Sequence, residues 1–106
     1  MVNRFEVYLV NLDAEPDKNA KNTRLCVIIS PKEMNQNITT VIIAPLSSAG
    51  PKYPTRIPVT LLNSDGSIVL DQIRVVDSVR LIKKIGEIDE SVQKAILERL
   101  QEMFAE

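Results

Sequence analysis

Few residues in this chain are available for chemistry, and their types narrow what that chemistry can be. The 106 residues include no histidine and a single cysteine, Cys26. A histidine base, a histidine relay and every histidine-containing metal site are excluded. One thiol gives neither an intramolecular disulfide nor a zinc cluster. The glycines Gly50, Gly66 and Gly86 are isolated, so no glycine-rich phosphate loop can be built. Hydroxyls, carboxylates and guanidiniums remain. Arg24 stands at the mouth of the apolar run 25–29, where a guanidinium can bind a phosphate bidentately or stay a solvated strand-end charge. Ser47 and Ser48 follow a second β-branched run, and can donate to a phosphate oxygen or serve a turn. Asp71-Gln72 and Arg74 follow a third, as a polar face or a salt-bridged sheet edge.

Charge is divided along the chain. Residues 1–85 hold eleven Lys or Arg against eight Asp or Glu, a net +3, while residues 86–106 hold two against six, a net −4. A basic body with an acidic terminal segment suits a phosphate-binding face with the tail held away from it.

Positioning these groups calls for a sheet. Phe5, Val7 and Leu9 alternate with Glu6, Tyr8 and Val10 and predict a strand over 5–11. Residues 13–23 read as a polar loop, and 25–29 as a strand buried on both faces. Ser30-Pro31-Lys32-Glu33 predicts one helical turn, capped by the Ser30 hydroxyl and stopping near Asn35 and Asn37. Residues 39–46 form a strand whose Pro45 marks its end or an edge position, followed by a loop over 47–54. Ile57, Val59 and Leu61, the turn signal Asn63-Ser64-Asp65-Gly66 and residues 67–70 make a hairpin. Val75-Val76 and Leu81-Ile82 extend the β pattern, which Gly86 closes. Val92, Ile96, Leu97, Leu100, Met103 and Phe104 then recur at helical spacing after Asp89, a suitable N-cap. The sum is one mainly β domain over 1–106, a small and strongly bent sheet or barrel with a C-terminal helix. No apolar run approaches the ~20 residues of a membrane span and no signal-peptide stretch opens the chain, so the cytosol is the expected compartment.

Several blocks, in order, carry a family resemblance: Val7-Tyr8-Leu9-Val10-Asn11-Leu12-Asp13, Thr23-Arg24-Leu25-Cys26-Val27-Ile28-Ile29-Ser30 and Val41-Ile42-Ile43-Ala44-Pro45-Leu46-Ser47-Ser48. Tyr53-Pro54-Thr55-Arg56-Ile57-Pro58-Val59 and Leu70-Asp71-Gln72-Ile73-Arg74-Val75-Val76-Asp77, then Arg80-Leu81, continue it. The chain resembles the MazF/PemK/Kid toxins, small endoribonucleases of type II toxin–antitoxin modules. The resemblance implies an SH3-like barrel with a C-terminal helix, a homodimer, and cleavage of single-stranded RNA at short sequence motifs. It implies no metal or cofactor, and a cognate antitoxin whose disordered tail covers the RNA groove. In the family reaction the ribose 2′-hydroxyl attacks the adjacent phosphate, leaving a 2′,3′-cyclic phosphate and a 5′-hydroxyl.

Carried over by position, the family's catalytic arginine falls on Arg24 and its threonine on Ser47, which keeps the hydroxyl and loses the methyl. Arg24 would stabilise the phosphorane and Ser47 would bind a nonbridging oxygen. A guanidinium is a poor base, so Asp71, in the family's Asp/Glu-Gln pair with Gln72, is the rival for proton transfer. Glu6, Lys52, Arg56 and Gln72 are candidate RNA contacts. The family's Gly-Asp or Gly-Glu before strand one reads Phe5-Glu6 here, its Arg-Pro reads Arg24-Leu25, and its loop motif is replaced by Asp17-Lys18-Asn19-Ala20-Lys21-Asn22. Two rivals stand beside this reading. One is a barrel that has lost activity and retains RNA or peptide binding. The other is a gyrase-poisoning toxin of CcdB type, which depends on a C-terminal Trp-Gly-Ile, whereas this chain ends Met103-Phe104-Ala105-Glu106 and has no tryptophan.

Overall fold

A computed structural model of the chain describes residues 2–13, 22–48 and 53–105. In chain order the elements are β1 (Glu6–Asn11), β2 (Thr23–Ile28), α1 (Lys32–Asn37), β3 (Thr40–Ser48), β4 (Arg56–Leu61), β5 (Ser64–Val69), β6 (Arg74–Asp77), β7 (Leu81–Glu87) and α2 (Glu90–Phe104). The strands form one seven-stranded sheet in the order β4-β5-β3-β2-β1-β7, with β6 also paired to β3. All its ladders are antiparallel.

The pivot is β3. Its first half pairs with β6, from Thr40↔Asp77 to Ile43↔Arg74, and its last residues pair with β5, from Leu46↔Ile68 to Ser48↔Gly66. Ala44 and Pro45 occupy the gap between those two ladders while facing Val27 and Cys26 of β2. Pro45 therefore does not end the strand; it sits where β3 changes partners, a place that tolerates a missing N–H. This switch bends the sheet. A Cβ added to Gly86 of β7 would meet Leu61 Cδ1 of β4 at 3.8 Å, so the two outer strands curl toward one another.

Alternation along the strands sorts side chains between two cores. Val7, Val27, Ala44, Ile57 and Ile68 point inward, and α2 packs on this inner core through Ile96, Val92, Ala95, Leu100 and Met103. Val10, Cys26, Ile28, Val41, Ile43 and Val76 form a smaller cluster on the opposite, outer face.

Several local expectations change. Ser30 is not an N-cap: Pro31 holds that position with no side-chain cap bond. Instead the buried Ser30 hydroxyl donates to Asn35 Oδ1 at 2.5 Å and accepts from the Ile42 N–H at 3.1 Å, fastening α1 to β3. The hairpin turns two residues early, through Leu62 and Asn63, whose φ values of 52° and 64° make the two-residue connection between Leu61 and Ser64; two left-handed residues match the twist of the flanking strands. Gly66 is consequently inside β5, and Gly86 inside β7 opposite Val7. The helical stripe rotates slightly: Ala95 joins the core, while Leu97 and Phe104 are exposed. Phe5 precedes β1 at φ 72°, fixed by its N–H to the Ile28 carbonyl at 2.7 Å and by the Ile88 N–H to its own carbonyl at 2.9 Å. A positive φ that glycine meets most easily is met here by a phenylalanine whose ring is buried.

Candidate functional site

Strand register assembles the site. In the β3–β5–β4 ladder Ser47 faces Ser67, and Ser67 faces Pro58. Directly opposed residues share a face, and here it is the outer one, because the inward set of β4 and β5 includes Ile57, Val59 and Ile68. The β2–β3 ladder ends at Cys26↔Pro45, and Arg24 stands one pleat beyond it on the same face as Cys26. Ser47, Ser67 and Pro58 form a row across three neighbouring strands, each step about 5 Å. The Arg24 guanidinium anchors through Nη2 to the Leu46 carbonyl at 3.0 Å, which leaves its other donors for an anion. Ser47 lies within β3, not in a loop after it, and its hydroxyl donates to the Ser48 carbonyl at 3.2 Å.

The end of β3 approaches β5 closely because Gly66 has no side chain. A Cβ there would stand 2.5 Å from the Ser47 carbonyl oxygen. Beside this contact opens a cleft of about 300 Å³, bordered by Arg24, Ser47 and Ser48 with walls from Leu25, Leu46, Val59 and Leu61. Cys26 lies beneath the row, fully buried. Burial pushes its thiol up to about 11, against the opposing pull of Arg24 and Arg74, so the thiol stays protonated and inert at neutral pH. Those two arginines are also the nearest sign of a basic surface here: Arg74 faces Ile43 on the same outer side.

Asp71, Thr55, Arg56 and Tyr53 make a second group. Asp71 sits exposed in a short 3-10 helix, Leu70–Gln72, directly after β5. Thr55 donates to Asp71 Oδ1 at 2.9 Å and Arg56 Nε lies 3.6 Å from the same oxygen. Slight burial raises the Asp71 carboxyl, but the Thr55 hydrogen bond, a backbone N–H and the Arg56 charge outweigh it and hold the group below its ordinary value. The Arg56 guanidinium stacks over the Tyr53 ring, 4.8 Å from its centroid. Arg56 faces Val69 on β5, two residues from the Ser67–Pro58 step, so it shares the outer face with Ser47 at a backbone separation of about 12 Å.

Not every candidate joins this face. Glu6 is buried at the far end of β1, where Lys84 Nζ lies 2.6 Å from its Oε2 and the Asn3 N–H donates to its Oε1 at 2.6 Å. Arg24 pairs with Val10, four residues along β1, roughly 13 Å away. Gln72 is exposed beside Asp71. Lys52, and most of the loop motif at 17–22, lie outside the described residues. Ser67 and Tyr53 carried no sequence signal as site residues; the register of β5 against β3 and β4 reveals Ser67, and the ring contact with Arg56 reveals Tyr53. Among the described residues no group of three metal-ligating side chains exists, and no helix is long and apolar enough to cross a membrane.

Known proteins are similar to this chain. A family model for PemK-like, MazF-like toxins of type II toxin–antitoxin systems matches residues 3–104. Endoribonuclease MazF of Staphylococcus epidermidis is 32% identical over 97 residues, covering 86% of this chain and 81% of that protein. The fold is shared with an endoribonuclease solved in complex with its cognate antitoxin from a mycobacterial species, at a TM-score of 0.82 and 18% identity over 96% of this chain and 93% of that one. MazF from Deinococcus radiodurans superposes at 0.80 with 17% identity, over 99% and 97% of the two chains. With a match that runs almost from end to end, this chain belongs to the PemK-like, MazF-like toxins of type II toxin–antitoxin systems.

Proposed function

We propose that the chain is a cytoplasmic toxin, an endoribonuclease that binds single-stranded RNA along the outer face and breaks it at Arg24 and Ser47. The observation that supports this is the cleft, whose border includes both the Arg24 guanidinium, bonded to the Leu46 carbonyl, and the Ser47 hydroxyl. The scissile phosphate docks on the free donors of Arg24, and Ser47 turns its hydroxyl from the Ser48 carbonyl to a nonbridging oxygen. The ribose 2′-oxygen bonds to phosphorus and loses its proton; the P–O5′ bond breaks and the departing oxygen gains one. The products are a 2′,3′-cyclic phosphate and a 5′-hydroxyl, and the step consumes no water. Charge builds on the nonbridging oxygens of the phosphorane, where fixed donors act most strongly. Asp71, occupied by Thr55 and Arg56, serves this reading better as a positioning residue than as the base.

The active unit is a homodimer, silenced by a cognate antitoxin. The test is incubation of purified protein with single-stranded RNA in EDTA. Fragments ending in 2′,3′-cyclic phosphate are expected; intact RNA that nevertheless binds the protein would leave a binding module in place of a nuclease. Light scattering at micromolar concentration should give twice the mass of one chain.

A further inference from the structure

Four aromatic side chains exist in this chain, and Tyr53 is placed unlike the others. It is 52% exposed, although one side of its ring carries the Arg56 guanidinium. Arg56 is itself held: its Nε is buried with no hydrogen-bond partner among the described residues, and its ion pair at 3.6 Å is to Asp71, which Thr55 anchors. The Arg56 N–H to the Tyr53 carbonyl at 3.0 Å and the Leu70 N–H to the Thr55 carbonyl at 3.0 Å tie the same segment to β4 and the end of β5. A flat ring backed on one side, open on the other and fixed from below costs little entropy to use as a stacking surface. Its support is a cation on the same outer face as Ser47, about 12 Å from it along the sheet.

We infer that Tyr53 is a stacking platform for a nucleobase of the bound single strand, a short distance along the chain from the phosphate held by Arg24 and Ser47. Arg56 braces the ring from behind and Asp71 and Thr55 position Arg56, so the four residues act as one unit. The inference rests on RNA being the substrate. A nucleobase is favoured over a protein side chain because the platform lies on one face with Arg24, Arg74 and Arg56, which suit the phosphates joining successive bases. Stacking is tolerant of base identity, so the platform contributes affinity and register while leaving the motif preference to other contacts.

The chain has no tryptophan, so Tyr53→Trp introduces a single fluorescent reporter at the site. Its emission should be quenched by a single-stranded RNA blocked with a 2′-deoxyribose at the cleavage position, chosen from sequences that the wild-type protein cleaves in a random pool, or by the pool itself if none is cleaved. Tyr53→Ala should raise KM by roughly ten- to a hundredfold with kcat little changed, and Tyr53→Phe should match the wild type. A scan of abasic nucleotides through the RNA should find one position whose loss weakens binding to wild type but not to Tyr53→Ala, the non-additivity expected of a direct contact. Cleavage by wild type with an unmoved KM in Tyr53→Ala, or no abasic position coupled to it, overturns the platform and leaves the nuclease standing. Quenching without cleavage overturns the nuclease and leaves the platform. Neither quenching nor cleavage removes both.

Discussion

Two charged regions lie at opposite ends of β1, and they differ in what their charges lack. At its start, Glu6, Lys84, Glu87 and the Asn3 N–H satisfy one another: Lys84 Nζ reaches Glu6 at 2.6 Å and Glu87 at 2.9 Å. Near its far end, opposite Val10, the Arg24 guanidinium makes one hydrogen bond among the described residues, to a carbonyl oxygen. A guanidinium has five N–H donors, so the second region faces solvent with donors to spare and no carboxylate among its named partners. A closed network does structural work because every group is occupied before any ligand arrives. An open one stores binding capacity. The sharpest way to break the distinction is Arg24→Ala, which should lower RNA cleavage by about a thousandfold or more, as removal of an arginine that holds transition-state charge on phosphorus does, while leaving the urea midpoint unchanged. Arg24→Lys should restore little, having lost the planar fork. An alanine variant that cleaves normally would place Arg24 with the closed network.

Ser47 sharpens the same comparison at one hydroxyl. In the unliganded protein it satisfies itself on the adjacent Ser48 carbonyl, a bond easily exchanged for a phosphate oxygen. Ser47→Ala should slow single-turnover cleavage on the order of a hundredfold, the usual loss of one donor to a developing oxyanion. Ser47→Thr should be tolerated, since the added methyl restricts the first torsion on an already extended strand. Equal rates for alanine and serine would make Ser47 a strand residue only.

Much of this was legible in the sequence, and the misses share a cause. The period-2 pattern of β1, the β-branched core of β3 and the 3.6-residue stripe of α2 appear where periodicity predicts them, because each pattern is set by one buried face. Arg24 and Ser47 were candidates from a family resemblance, but their meeting at one cleft was not readable, because it depends on strands far apart in sequence. Glu6, a candidate RNA contact by resemblance, lies buried beside Lys84, a meeting that nothing local in the chain announces. The hairpin turns at Leu62-Asn63, with positive φ at both, ahead of the turn read from Asn63-Ser64-Asp65-Gly66, because two left-handed residues fit the twist of the strands. That left Gly66 free for a different task, the close passage of Ser47.

Gly66→Ala tests whether that passage is what holds the open region in shape. The new Cβ would stand 2.5 Å from a backbone oxygen, and backbone cannot rotate aside, so β3 and β5 must separate at Ser47. A loss of about 1 to 3 kcal/mol in stability is expected, measured by urea unfolding. Cleavage should fall beyond that loss, because the remaining folded molecules carry a displaced Ser47. Stability lost with full cleavage per folded molecule would show that the site does not depend on this contact.

The smallest effect is expected in the closed region, and its sign follows from Glu6. Partial burial raises that carboxyl, yet the Lys84 hydrogen bond, the Asn3 N–H and the Lys84 charge together hold it below its ordinary value. A carboxyl lowered on folding contributes stability above its unfolded value of about 4.3, and the contribution fades as pH falls toward the folded value. Lys84 is shifted up by Glu6 and Glu87, so its share is present at neutral pH and fades only in alkali. Glu6→Gln keeps the size of the side chain and an acceptor for the Asn3 N–H but removes the charge. The variant should be less stable than wild type at pH 7, and the gap should narrow at acid pH, as wild type loses the same charge. Urea midpoints at the two pH values read this directly, and because Asp71 titrates in both proteins its contribution cancels in the difference. Cleavage at pH 7 should be unaltered per folded molecule. If Glu6→Gln cleaved RNA more slowly while its urea midpoint stayed with the wild type, the charge at the start of β1 would be serving the substrate, and the division between a closed and an open region would fail.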